Sequence, residues 1–500
     1  MHWIRGSRWG GTTKGRSGLT GDNPKLSRRL LDRIGTDQDE SAASWLMVVS
    51  CLFLLAGTAL LVTALFKLVV PSLFADTAFM SFGRLRPAAL LTLVYGFGGT
   101  ITPAIAYYLT PRLVGARMRF QPIALLGGLG LAGLVALGVL VALFRGPAGP
   151  ELGEFPPLFD WPIAALLLLP ALTVSATIRH RTEESSFVSL LYVLGAVWWF
   201  PALHITGSIP ALPNAGPFLQ TGLVANGILW LAFPAAALGG AYYVLVKESG
   251  LPLFSGPLAR AGFWTLSGTA LLATPIRFLG GPAPDWTETV SVVGAMGLIV
   301  SALALITNLG QTLSGAWEEM SRNPVIRYLV VGASAYTLVT VLTGLSGFRS
   351  TAAMVGLTTW HEGLTFGTVL VAVPALALSF VFHAFPRTTG RNLSDERTAG
   401  RGLRWLTWGG GITAACFLLA GLVSGMAWNW ANASGTRTNT GLGFSAGLSE
   451  VNLLFTLGAL ASVVALAGVA LMVWTVIRTY ISGTARPVEV LIPVENETDE

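Results

Sequence analysis

Twelve apolar stretches, each of roughly twenty residues, leave this chain little choice of solvent. They run near 44–70, 88–110, 122–144, 161–178, 186–207, 218–246, 260–280, 287–309, 326–346, 364–385, 405–427 and 452–478. A helix of that length crosses the hydrocarbon of a bilayer, and every backbone polar group on it is satisfied from within. Composition agrees. Of 500 residues 53% are hydrophobic and only 11% charged, where a soluble chain carries about 25% charged residues. The reading is an all-α integral membrane protein of about twelve transmembrane helices, with no soluble domain between them. Residues 1–40 are predicted to be a disordered basic tail, 41–482 the transmembrane domain, and 483–500 an acidic C-terminal tail. The first forty residues lack the apolar core of a cleaved signal peptide.

Loop charge sets the expected orientation. Arg112, Arg117, Arg119, Arg179, Arg181, Lys247, Arg322, Arg327, the Arg387–Arg404 cluster and Arg478 fall on the side of the basic tail. Asp76, Glu151, Glu154, Asp160, Asp285, Glu288 and Glu450 fall on the other. By the positive-inside rule both termini are cytoplasmic, as an even number of spans requires. The net charge of +6 is therefore a topology signal rather than a nucleic-acid signal. Cys51 and Cys416 both sit in apolar segments and form no CxxCH, which excludes covalent c-type haem. The spans hold almost no carboxylates, which argues against an independent pump or proton-coupled transporter. No internal repeat suggests inverted halves.

A series of short blocks then narrows the field. Ser81–Gly99, SFGRLRPAALLTLVYGFGG, drives an arginine-bearing turn into an apolar helix that ends in glycines. Leu203-His204-Ile205, Tyr242-Tyr243, Leu253-Phe254-Ser255, Phe263-Trp264, Pro275 and Pro284-Asp285-Trp286 follow. Leu313-Ser314-Gly315-Ala316-Trp317, Asn323-Pro324, Arg327, Arg349-Ser350, Trp360, Gly363, Pro386-Arg387 and Gly390-Arg391 complete the order. In that order and spacing, the blocks resemble subunit I of cbb3-type haem-copper oxidases, from about Ser44 to Met426. The resemblance implies a haem-copper oxidase subunit I-like bundle in the bacterial cytoplasmic (inner) membrane. It implies pseudo-threefold helix symmetry that one sequence does not reveal. It also implies haem b, haem b3 and copper in the family.

Carried across position by position, the family's ligands are missing. The two axial histidines of the low-spin haem fall on Ala89 and Phe366, and the proximal histidine of the high-spin haem on Leu364. The copper ligands fall on Asn226 (or Ala225) and on the pair Ile276 and Arg277. The cross-linked tyrosine falls on Ala270, and the ninth-helix glutamate on Leu342 or Thr343. Low-spin haem iron takes strong axial donors, usually imidazole, which Ala and Phe lack. Copper at a dioxygen site takes imidazole, which Ile cannot supply, and a protonated arginine repels the ion. No haem or copper is predicted in this chain, and no catalytic or metal-binding residue.

Four residues stand as retained candidates for cofactor contact. His204 matches a family position that ligates no metal, and reads as a hydrogen-bonded histidine near a helix end or as a surviving cofactor contact. His361, one turn before Leu364, reads as a solvent-facing loop-end histidine or as a displaced ligand. Arg84 and Arg86 match arginines close to haem propionates in the family, and arginine there also anchors to headgroups. Arg277 reads either as a guanidinium standing in for the copper charge or as an arginine snorkelling to the outer surface. His383 and His180 read as interfacial.

The function expected from the resemblance is that of a subunit I-like protein of a respiratory electron-transport complex that has lost its cofactors. It would be a structural or regulatory partner, in membrane lipid, of an active oxidase subunit I or a cytochrome c-type subunit. The alternatives are a residual haem-binding subunit using displaced histidines, or a bundle repurposed to bind or pass a small molecule, lipid or quinone.

Overall fold

The computed structural model describes residues 41–183, 187–210, 216–279, 284–433 and 442–485. Residues 1–40 and 486–500, which hold the N-terminal tail and most of the C-terminal tail, lie outside them, as does the side chain of Arg277. The long helices are α1 Ser41–Val69, α2 Phe82–Val114, α3 Gln121–Arg145, α4 Pro157–Ile178, α5 Val188–Ser208 and α6 Gly216–Ser249. The second half adds α7 Gly256–Leu272, α8 Asp285–Thr312, α9 Pro324–Leu345, α10 Trp360–Thr389, α11 Glu396–Ala433 and α12 Leu442–Ser482. Eleven are long and apolar enough to cross a membrane. The twelfth, α7, has 17 residues and runs on into a tight helical turn at Thr274–Phe278. The chain is a multi-pass, all-helical membrane protein of about twelve spans, as the sequence predicts.

Three helices form the centre. The apolar windows of α2, α6 and α10 are wholly buried, whereas those of the other spans are buried over 44–56% of their length. An outer helix therefore packs one face inward and leaves the other to lipid, and only the central three are enclosed all round. The ring of outer helices is closed by α1 lying against α12.

Each central helix slips for about one turn into π geometry: Thr92–Gly98 in α2, Ile228–Ala232 in α6 and Gly367–Ala372 in α10. A π turn inserts an extra residue, shifts the side chains beyond it round the helix, and is frequent at functional sites. Each helix then ends alike. Tyr107-Tyr108-x-x-Pro111-Arg112-x-x-Gly115, Tyr242-Tyr243-x-x-Val246-Lys247-x-x-Gly250 and Phe382-His383-x-x-Pro386-Arg387-x-x-Gly390 are one pattern. The three closing glycines have φ of 67°, 66° and 62°, the left-handed cap that only glycine adopts cheaply. The π turns begin 23, 22 and 23 residues before these glycines. The pseudo-threefold repeat is thus written in the sequence after all.

Some boundaries move. α2 starts at Phe82, so Arg84 and Arg86 belong to its first turns rather than to a loop. α11 starts at Glu396, so Arg397, Arg401 and Arg404 are helical although they were expected in a connection. Cys51 and Cys416 are buried and unpaired.

Candidate functional site

The positions that the family resemblance assigns to cofactor ligands are interior among the described side chains. Ala89, Ala270 and Asn226 are 0% exposed, Ile276 1%, and Leu364 and Phe366 2%. Asn226 and the Thr274–Phe278 turn do come together, because the Asn226 amide donates to the Thr274 carbonyl at 2.5 Å. This bond ties Asn226 to the turn that carries Ile276 and Arg277, the positions that the family resemblance assigns to copper ligands. Phe366 stands edge-on to Phe417 with ring centroids 4.9 Å apart, and Phe417 packs on Phe455 at 5.2 Å.

Aromatic rings fill the space beside the π turn of α2. Tyr95 meets Phe155 and Phe200 edge-on at 5.0 and 5.2 Å, and Phe97 meets Phe233 at 6.2 Å. At Gly98 even a Cβ would lie 2.5 Å from the Phe233 ring, so α2 and α6 touch here without room for anything between. A small hollow between α6, α8, α9 and α10 is lined by Trp230, Tyr336, Thr340, Thr343 and Thr368 and has a volume of about 10 Å³. That is room for about one water, which would serve the otherwise unpartnered Tyr336 hydroxyl. Thr343, one of the two positions matching the family's glutamate, lines it.

His204 is buried and both its ring nitrogens are used. Nδ1 lies 3.0 Å from the Tyr95 hydroxyl and Nε2 lies 3.0 Å from the Asp160 carbonyl. A carbonyl only accepts, so Nε2 carries the hydrogen and Nδ1 accepts from the tyrosine. Both ring nitrogens are thus engaged by protein groups. His361 departs from expectation: it is 8% exposed rather than in solvent, because α10 begins at Trp360 and its first turn packs beneath α11. The backbone of Trp360 passes so close to Gly421 that a Cβ there would sit 2.3 Å from its nitrogen.

The two arginines separate in role. Arg84 donates to the carbonyls of Phe144 (2.6 Å) and Leu143 (3.4 Å), closing the C-terminal end of α3, where cations are favoured. Arg86 is held by two carboxylates, from Glu362 through Nε at 3.1 Å and Nη2 at 2.5 Å, and from Glu151 at 2.8 Å. A third, Glu154, is nearly buried in the connection between α3 and α4. Burial pushes its carboxyl up to about 7; Arg86 opposes that shift, and the charges of Glu151 and Glu362 add to it.

A second polar cluster escaped the sequence reading. Equivalent residues of the three central helices, Tyr108, Tyr243 and His383, face one another at the arginine-rich end with ring centroids 5.6–6.3 Å apart. His383 is 1% exposed rather than interfacial. Its Nδ1 lies 2.6 Å from Glu248, which also takes Arg387 at 2.9 Å and the Asn323 amide at 2.8 Å. Arg112 covers Tyr108 at 3.6 Å. The repeated aromatic pair was the available signal. No group of three or more His, Cys, Asp or Glu among the described residues is arranged to hold a metal.

Known proteins share this fold. The chain is 24% identical over 438 residues to the cbb3-type cytochrome c oxidase subunit CcoN1 of Stutzerimonas stutzeri, covering 85% of this chain and 90% of that one. It is 24% identical over 408 residues to cytochrome c oxidase subunit 1 of Rhodobacter capsulatus, covering 77% and 75%. A heme-copper terminal oxidase dimer solved by cryo-EM superposes with a TM-score of 0.67 at 14% identity, over 89% of this chain and 85% of that one. The family description "Cytochrome C and Quinol oxidase polypeptide I" matches residues 41–464. This chain belongs to that family, the subunit I-like membrane proteins of the haem-copper oxidases.

Proposed function

We propose that this protein is a subunit I-like member of the family that binds neither haem b, haem b3 nor copper. In this reading it serves a respiratory membrane complex as a non-catalytic structural or regulatory subunit, packed against an active subunit I or a cytochrome c-type subunit. Both termini lie in the cytoplasm. The observation that carries the reading is the donor set. At each position where a family member would ligate iron or copper stands alanine, asparagine, isoleucine, arginine, leucine or phenylalanine. Neutral imidazole or thiolate is what those metals take, and Asn226 offers only an amide oxygen, its Nδ2 donating to a backbone carbonyl. These residues do not fit the cofactors, and no redox step runs through them. Fold alone carries no activity once the site chemistry is gone. That the relatives are named as oxidase subunits supports a place within a complex.

A haem held by displaced histidines is disfavoured by the double engagement of His204. Passage of a small molecule is disfavoured by the tight centre, where the hollow between α6 and α10 holds about 10 Å³. The test is a reduced-minus-oxidised visible spectrum of the detergent-purified protein, with pyridine haemochrome quantitation and elemental iron and copper. Less than a tenth of a haem per chain is expected. One haem per chain overturns the proposal, and His204→Ala and His361→Ala then identify its ligand.

A further inference from the structure

Beyond this role, one surface feature has the build of a binding site. A cleft of about 600 Å³ opens on the arginine-rich face between the start of α9, the start of α11 and the connection before α9. Five arginines line it, Arg322, Arg327, Arg397, Arg401 and Arg404, against one carboxylate, Glu396. Arg327 is held in place by two of its donors, Nε to the Ser321 carbonyl at 2.6 Å and Nη2 to the Arg322 carbonyl at 3.1 Å. Its remaining N–H groups are free to serve a ligand. Arg322 has only a long, exposed pairing with Glu318 at 3.9 Å, which contributes little. So many guanidinium groups around one hollow repel each other, and an anion with several acceptor oxygens relieves that repulsion. The guanidinium fork suits phosphate oxygens in pairs.

The face of α11 below the cleft says where the phosphate comes from. Arg397, Arg401, Arg404 and Trp408 are spaced four, three and four residues apart, on one side of the helix. Trp408 is 68% exposed, and Ile412 and Leu419 continue as exposed aliphatic surface. At 1.5 Å per residue the stripe from Arg404 to Leu419 covers roughly 22 Å, about one leaflet with its headgroups. It runs from guanidinium through tryptophan to aliphatic side chains, the order of headgroup, interface and acyl chain in one leaflet.

We propose that this cleft binds the phosphate headgroup of an anionic phospholipid, with the acyl chains lying along the Trp408–Leu419 face of α11. Phosphate is the chemistry read, and the lipid is its source. The test is native mass spectrometry of the full-length protein in detergent, titrated with dioleoylphosphatidylglycerol, dioleoylphosphatidylcholine or inorganic pyrophosphate. At least a tenfold preference for phosphatidylglycerol over phosphatidylcholine is expected. R397Q/R401Q/R404Q weakens phosphatidylglycerol binding about a hundredfold, each arginine near an anionic surface being worth about a factor of five. R397K/R401K/R404K keeps the charge and retains most of the binding. R179Q/R181Q, on the same face outside the cleft, leaves it unchanged. Pyrophosphate competes with the lipid. The proposal is overturned by equal binding of the two lipids, or by a glutamine triple variant that binds like the parent. Binding of pyrophosphate without phosphatidylglycerol also overturns it, because the source is then a free phosphate. If the glutamine variant does not fold, the lysine variant decides, since complete loss of binding in it refutes a charge-read site.

Discussion

Phe366→Ala asks whether the place that the family resemblance gives to a low-spin haem is filled by protein or stands open beside it. The ring is 2% exposed and stands edge-on to Phe417 at 4.9 Å. Truncation in a filled interior leaves a hole of roughly 100 Å³, which at about 24 cal/mol per Å³ costs about 2.4 kcal/mol. Losing the edge-to-face pair adds about 0.5–1.5 kcal/mol. Transfer from water contributes little, because in a bilayer the unfolded reference is already in apolar surroundings. The expected destabilisation is therefore about 3–4 kcal/mol, at the lower end of buried Phe→Ala changes. Equilibrium unfolding by SDS in mixed micelles, followed by far-UV circular dichroism, measures it. Trp408→Ala, at a position 68% exposed to lipid, is the control and is expected to change stability by about 0.5 kcal/mol or less. In a filled interior the new hole is dry and apolar, and benzene restores part of the loss by occupying it. A cost below about 1 kcal/mol refutes the reasoning, since the ring would then line a chamber already empty.

Two further perturbations probe the acidic face. With its folded value raised to about 7 from an ordinary 4.5, Glu154 holds a proton in the native state that the unfolded chain releases earlier. Its contribution is therefore fully present below about 4.5 and is lost as pH rises through about 7, by at most about 3 kcal/mol. Thermal midpoints across pH 4.5–8 should fall in the parent and stay flatter in Glu154→Gln; parallel curves contradict the assignment. His204→Ala leaves the Tyr95 hydroxyl and Asp160 carbonyl facing a hole and should cost about 2–3 kcal/mol, while Tyr95→Phe costs about 1. The double variant should show coupling of about 1 kcal/mol by the same unfolding assay, and strict additivity would sever the pair.

The spans were legible because a bilayer imposes one demand, length of apolar helix, which composition answers directly. The positions compared with the family's ligands came from block spacing, and the Asn226–Thr274 bond joins one of them to the turn that carries Ile276 and Arg277. The π turns were not. A one-residue slip in a helix apolar all round leaves no trace in hydrophobic periodicity, since no polar stripe exists to be displaced. The threefold pattern was present in the residues, but Tyr108, Tyr243 and His383 lie 135 and 140 residues apart, far beyond the period of an ordinary repeat. His361 was misplaced for a local reason: a histidine beside Trp360 and Glu362 looks interfacial until α11 is known to cover that turn. The carboxylates that hold Arg86 could not be read from the sequence, because Glu151 and Glu362 are 65 and 276 residues from it.

That partner bears on the cofactor question independently of the missing histidines. A haem at the low-spin position would bring propionate carboxylates toward the start of α2. The sequence offered Arg84 and Arg86 to receive them. Arg84 instead completes the C-terminus of α3, and Arg86 is engaged by Glu362 and Glu151 with a third carboxyl, Glu154, close by. One guanidinium among three carboxyls already leaves the group short of positive charge, and burial answers by holding Glu154 protonated near neutrality. Two more carboxylates in that space would have to displace Glu362 from Arg86 and would push the Glu154 carboxyl still further up. The electrostatics of the acidic face thus support the same conclusion as the chemistry of the interior. In the proposed cofactor-free chain, Glu151, Glu154 and Glu362 would supply the negative charge that a propionate-bearing group would otherwise contribute.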